Sequence, residues 1–177
     1  RHLYGQTGDP NHVDVSDKHV IVIGGGDTGA DCIGTALRQG ATSILNITRR
    51  EREPDHRDPW HPWPEEPNTY FLDYSHKEGK ARFGRDPREY CVLPLEFIDD
   101  GQGHVKAIKI ERLKWIQDPI TGEWSRENTG KIEQFPADHV FLSIGFTGHD
   151  ANPLTEALGV SDEHGTVASE YGRFDTN

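Results

Sequence analysis

The first chemical signal in this 177-residue chain comes from three glycines and two arginines. Gly24, Gly26 and Gly29 stand in the run Gly24-Gly25-Gly26-Asp27-Thr28-Gly29, which has the spacing Gly-x-Gly-x-x-Gly. Arg49 and Arg50 follow about 20 residues after the last of them. Each glycine has its own task at a pyrophosphate. Gly24 lets the chain turn sharply, Gly26 lets the backbone approach the phosphates without a Cβ, and Gly29 lets a helix pack close to a strand. A helix opening at this point presents free N–H groups and the positive end of its dipole to an anion. The two guanidiniums suit a second, terminal phosphate, which they can grip with paired hydrogen bonds.

Such residues work only if the surrounding elements place them. His19-Val20-Ile21-Val22-Ile23 is mostly β-branched and reads as a buried parallel strand ending at Gly24. Cys32, Ile33, Ala36 and Leu37 recur at helical spacing within 28–39, and Gly40 follows as a stop. Residues 43–48 form a second strand candidate, which completes a βαβ unit of the size the fingerprint requires. Residues 49–69 carry four prolines between Pro54 and Pro64 and exclude regular structure there. Asn68 is expected to cap a short helix over 69–77, ending at Gly79. Runs over 89–98 and 105–115 flank Asp99-Asp100-Gly101-Gln102-Gly103 as a hairpin, Asp118 to Gly122 makes another turn, and 139–145 is a last strand. The fold class is therefore α/β, a Rossmann-like dinucleotide-binding domain whose parallel sheet carries an inserted antiparallel β-meander. This is the pattern of pyridine-nucleotide/flavin reductases, an argument from fold analogy.

The end of the second strand bears on the choice of nucleotide. An NAD site places an acid there to accept from the ribose 2′-OH, and here the place holds Thr48-Arg49-Arg50. That favours NADPH, whose 2′-phosphate an acid would repel and a guanidinium pair would hold. Two rival readings stay open. Arg49 and Arg50 belong to a solvated run with Glu51, Arg52 and Glu53, or Glu51 is itself the ribose acid. The missing acid also argues against FAD on Gly24 to Gly29.

Composition narrows the rest. A net charge of −11 and a pI of about 5.3 speak against nucleic acid and anionic membrane surfaces. No apolar run approaches the ~20 residues of a membrane helix. Two cysteines, Cys32 and Cys91, form neither a C-x-x-C nor a zinc pattern. That fits a reducing cytoplasmic setting, argues against dithiol redox chemistry, and predicts two buried structural thiols. His56 and His61 lie near Asp55 and Asp58, but a proline-rich loop offers no rigid ligand face, so no metal site is assigned. Trp60 and Trp63 are expected to anchor that loop by burial. Asp27 and Asp31 are expected to serve the helix N-terminus. No side chain is assigned as a catalytic acid, base or nucleophile. The absence of any methionine suggests a segment of a longer protein.

The stretch from Lys18 to Ala41 closely resembles the NADPH-binding domain of the glutamate synthase small (beta) subunit family. The loop Arg57-Asp58-Pro59-Trp60-His61-Pro62-Trp63-Pro64 resembles the proline–tryptophan loop of that family, and Ser75 to Gly79 and Ile144 to Gly148 are similar to family segments. The resemblance implies a domain inserted within an FAD-binding domain. It implies NADPH held on Gly24, Gly25, Gly26, Asp27, Thr28, Gly29, Arg49 and Arg50, with Gly145 and Phe146 near the nicotinamide. It further implies hydride transfer to FAD, electron flow through iron–sulfur clusters, and a large subunit that makes glutamate from glutamine and 2-oxoglutarate. The expected organisation is an FAD-domain edge or linker over 1–17, an NADPH-binding domain over 18–148 and a return segment over 149–177. The cluster-binding and completing FAD segments are absent here, so the chain alone is expected to bind NADPH without turnover. The arginine pair itself is more like other NADPH reductases than like many glutamate synthase chains.

Overall fold

The computed structural model describes residues 12–59, 61–149, 153–160, 162–170, 172–173 and 175–176. The chain divides into two units, Arg1–Ser143 and Ile144–Asn177. The expected linker before residue 12 and the side chain of Trp60 lie outside the described residues.

In the first unit, strand β1 (His19–Gly24), helix α1 (Gly26–Gln39) and strand β2 (Ser43–Ile47) form the βαβ unit. After the proline-rich loop come helix α2 (Tyr74–Phe83), strand β3 (Arg88–Glu89) and the strands β4 (Val92–Asp99), β5 (Val105–Gln117) and β6 (Trp124–Pro136). Strand β7 (His139–Ser143) closes the unit. A parallel sheet has the order β3-β2-β1-β7, and a separate antiparallel sheet has the order β4-β5-β6. The α/β class with its inserted meander is thus present as the sequence predicts.

Alternation along the central strands builds two cores. Val20, Val22 and Ile44 pack toward α1 with Ile33, Ala36 and Leu37. Ile21, Leu45 and Ile47 pack on the other face with Val92, Ile108 and Ile110 of the meander. The period-two side-chain pattern of β1 and β2 therefore serves helices on one face and the antiparallel sheet on the other. Helix α1 ends as expected at Gly40, whose φ of 98° suits only a residue without a Cβ.

Several sequence expectations change. The second helix starts at Asp73, not Asn68, because the Asp73 carboxylate accepts from the N–H groups of Ser75 and His76. It runs past Gly79, whose missing Cβ admits Pro87 (3.1 Å to Cγ from an ideal Cβ), and ends at Gly84. Strand β6 has no counterpart in the sequence reading, since WSRENTGKIEQFP is polar and largely exposed. Backbone pairing with β5 holds it, as does Arg112, which bridges Glu89 (2.7 Å) and Glu133 (2.8 Å). Hydrogen bonds from Arg112 and Lys131 hold the Glu133 carboxyl down at about 2.

Trp63 does not anchor its loop: it is 83% exposed. Arg57 does that work, donating to the carbonyls of His61 (2.7 Å) and Glu65 (2.9 Å). The loop's return is held at Tyr70, whose hydroxyl donates to Asp86 (2.7 Å) and whose ring meets the guanidiniums of Arg52 (3.7 Å) and Arg88 (4.6 Å). The two thiols are half-buried rather than buried.

The second unit contains a short helix α3 (Pro153–Leu158) and a two-stranded ribbon of β8 (Asp162–Glu163) and β9 (Thr166–Val167). Within it, Gly148 and Gly165 meet so closely that a Cβ on either would lie 2.6 Å from the other segment's backbone oxygen.

Candidate functional site

The strand order β3-β2-β1-β7 turns outward in both directions from β1, so a topological switch point lies between β1 and β7. The glycine turn sits at the carboxyl end of β1, where such sheets open a crevice. Gly24 has φ of 100° and Gly26 has φ of 77°, backbone states that side chains strongly disfavour. Gly25 is the N-cap of α1 and supplies no side-chain cap, so the first-turn N–H groups face outward without a protein acceptor of that kind. An ideal Cβ on Gly25 or Gly26 meets nothing within 4 Å. Gly25, Gly26, Asp27 and Thr28 are all exposed. The conformation and openness of this turn fit a pyrophosphate.

Gly29 is buried where α1 packs against the ends of β1 and β7. A Cβ there would meet Gly24 O at 3.5 Å and Ser143 Cβ at 3.7 Å, which is ordinary contact. The tighter glycine on α1 is Gly34, where a Cβ would fall 2.9 Å from Tyr74 Cε2. Asp31 does not serve the helix end. Its carboxylate accepts the Tyr74 hydroxyl (2.5 Å), and this carboxylate holds the Tyr74 pKa above its usual value. Asp31, Gly34 and Tyr74, with the Arg38–Glu78 pair (2.7 Å), join α1 to α2.

A buried amide secures the turn from beneath. Asn46, 3% exposed on β2, donates through Nδ2 to Val22 O (3.0 Å) and Gly24 O (2.6 Å). Sequence reading missed it, because one Asn inside a strand pattern reads as a polar interruption.

Arg49 and Arg50 leave the end of β2 as exposed side chains, and neither guanidinium has an ion pair or hydrogen bond among the described residues. They do not share the bonds of the neighbouring charge run. Arg52 instead pairs with Asp55 (2.5 Å) and lies over Tyr70. The backbone under the two arginines is fixed by the meander. Thr48 O accepts from Val92 N (3.0 Å), Arg49 O from the Trp115 indole N–H (3.1 Å), and Arg50 O from Cys91 N (3.0 Å). The structure thus brings the glycine turn and the arginine pair to the same carboxyl edge of one sheet.

Gly145 and Phe146 fall in the second unit, Gly145 with φ of 96° and Phe146 93% exposed. A cavity of about 490 Å³ opens beside α1 and is lined by Val13, Thr28, Cys32, Thr35 and Phe141, without the arginines. His61 contacts Asp58 (3.1 Å) in the proline-rich loop. Among the described residues no group of three or more His, Cys, Asp or Glu is arranged to hold a metal ion. No helix among them is long and apolar enough to cross a membrane.

No protein-family model matches the chain. A Bacillus subtilis protein, the glutamate synthase [NADPH] small chain, is 37% identical over 169 residues, covering 96% of this chain and 34% of its own length. A putative glutamate synthase [NADPH] small chain of Cereibacter sphaeroides is 52% identical over 176 residues, covering 97% of this chain and 38% of its own. The glutamate synthase [NADH] of Saccharomyces cerevisiae is 44% identical over 156 residues, which is 88% of this chain and 7% of that protein. The chain thus spans about a third of the bacterial relatives, which extend well beyond it. Among solved structures, FprA, a Mycobacterium tuberculosis oxidoreductase, superposes with a TM-score of 0.55 at 18% identity over 93% of this chain and 46% of its own, a likeness of fold. Its matches run over nearly its whole length, and the chain is similar to one segment of the glutamate synthase small chains.

Proposed function

We propose that this chain is the NADPH-binding, electron-input module of a flavin-dependent glutamate synthase. The observation that carries the reading is the pairing, on one sheet edge, of a glycine turn without a side-chain cap and two guanidiniums that have no ion pair or hydrogen bond among the described residues. Gly24, Gly25 and Gly26 and the N–H groups of Asp27 and Thr28 would receive the pyrophosphate, while Gly29 seats the helix behind them. Arg49 and Arg50 would receive the 2′-phosphate. Gly145 and Phe146 are assigned to the nicotinamide end on family resemblance.

The bound nucleotide supplies the hydride. The chain's own work is to bind, orient and discriminate, which needs no acid or base side chain. The acceptor in this reading is FAD on another part of the full-length protein, followed by iron–sulfur clusters and a large subunit that forms glutamate from glutamine and 2-oxoglutarate. The domain bounds in this reading are 1–17 for the FAD-domain edge, 18–148 for the NADPH-binding domain and 149–177 for the return segment. A cytoplasmic location is part of the same proposal and rests on the two unpaired thiols.

The NADH-named yeast relative favours a second reading, in which this site prefers NADH. Calorimetric titration with NADPH and NADH decides between them. Tighter NADPH binding supports the arginine argument, and equal or tighter NADH binding overturns it.

A further inference from the structure

The inserted meander touches the site at one informative place. Trp115 lies on β5 opposite Arg126 of β6. Its indole N–H reaches back across the sheet interface to the carbonyl of Arg49 (3.1 Å), and the Arg126 guanidinium covers the same ring at 5.3 Å from its centroid. The carbonyls on either side, of Thr48 and Arg50, are bound by backbone N–H groups of Val92 and Cys91, which any residue but proline would supply. Only the middle carbonyl depends on a particular side chain. It belongs to the residue whose guanidinium is proposed to receive the 2′-phosphate.

We infer that Trp115 is a positioning residue for nucleotide selectivity, holding the Arg49 peptide so that its guanidinium meets the 2′-phosphate of NADP. The peptide's orientation sets where the Arg49 side chain starts. Without the indole N–H the peptide can rotate, and the arginine gives up its favourable geometry before it meets the ligand. Arg126, over the ring at cation–π distance, helps keep the indole in place and adds positive charge at that end of the site. The meander then has a task beyond packing, since it sets the selectivity of a turn that belongs to the parallel sheet. This inference rests on the proposed NADPH reading.

The test uses the full-length protein that carries this chain, titrated calorimetrically with NADP+ and with NAD+. Trp115→Phe keeps an aromatic ring and removes the N–H. NADP+ affinity is expected to fall about three- to tenfold, the size of one hydrogen bond's net contribution, with NAD+ affinity unchanged. A role in packing alone would leave the ratio of the two affinities where it was. An unchanged ratio, or an equal loss for both nucleotides, overturns the inference. Arg49→Gln measured alongside separates the two claims. If it leaves the ratio unchanged, the NADPH reading itself fails. If it lowers the ratio while Trp115→Phe does not, only the role of Trp115 fails.

Discussion

Replacing Asn46 tests whether the glycine turn is held from beneath. Asn46 is 3% exposed, and its amide donates to Val22 O at 3.0 Å and Gly24 O at 2.6 Å. Asn46→Leu keeps the approximate volume and removes both donors. Two hydrogen bonds at about 0.5–1.5 kcal/mol each give a loss of about 1–3 kcal/mol, and leaving carbonyls short of a donor in the interior moves the value toward the upper end. Asn46→Asp is worse near neutral pH, because a carboxylate would face two carbonyl oxygens in a buried place. Burial raises that carboxyl's pKa, so the folded state keeps the proton that the unfolded chain gives up. The variant's stability is therefore greatest below the unfolded pKa of ~4 and falls as pH rises toward the raised folded value. Urea denaturation of the native chain and both variants, at about pH 5 and about pH 8, measures this. Asn46→Leu within about 0.5 kcal/mol of the native chain, together with no added pH dependence in Asn46→Asp, would refute the reasoning.

Other perturbations separate features that resemble each other in sequence. Arg49→Ala is expected to weaken NADPH binding by about 1.5–3 kcal/mol, roughly ten- to 150-fold, with NADH binding little changed, as read by calorimetry. Gly29→Ala is expected to leave thermal stability within about 1 kcal/mol of native, since its Cβ meets neighbours at 3.5 Å or more. Gly34→Ala drives a methyl to 2.9 Å from Tyr74 Cε2 and is expected to cost about 1–3 kcal/mol, with Tyr74 fluorescence or NMR shifts showing its displacement from Asp31. Asp86 titrates at about 2, because hydrogen bonds from Arg88 and Tyr70 outweigh the upward push of burial. Its stabilising contribution is present above its ordinary value of 3.8 and is lost as pH falls toward about 2; Asp86→Asn should flatten that part of the acid-denaturation curve.

The first βαβ unit was legible because its signals are local. An apolar β-branched run, a helical apolar face and glycines at fixed offsets each depend on residues within a few positions. Gly24 and Gly40, read as the turn and the helix stop, both have positive φ. The sequence points to Asn68 for the start of the second helix because Asn68 and Asp73 are both good caps by type. Only Asp73 has two N–H groups within reach. Strand β6 escaped notice because its stability lies in backbone pairing with β5 and in Arg112, and its polar face mimics a loop. The exposure of Trp63 is not legible, because an aromatic between prolines gives no sign of which way the loop turns it.

The sequence by itself determined a glycine turn at the end of a strand and set two arginines about 20 residues after it. Tertiary structure decided what holds them there. Asn46 secures Gly24 across two strands 22 residues apart, and Trp115 reaches Arg49 from 66 residues away. Backbone dihedrals and apolar periodicity are properties of neighbouring residues, so a linear sequence exposes them. Which donor meets which carbonyl depends on strand order and register, and those exist only once distant segments have packed together.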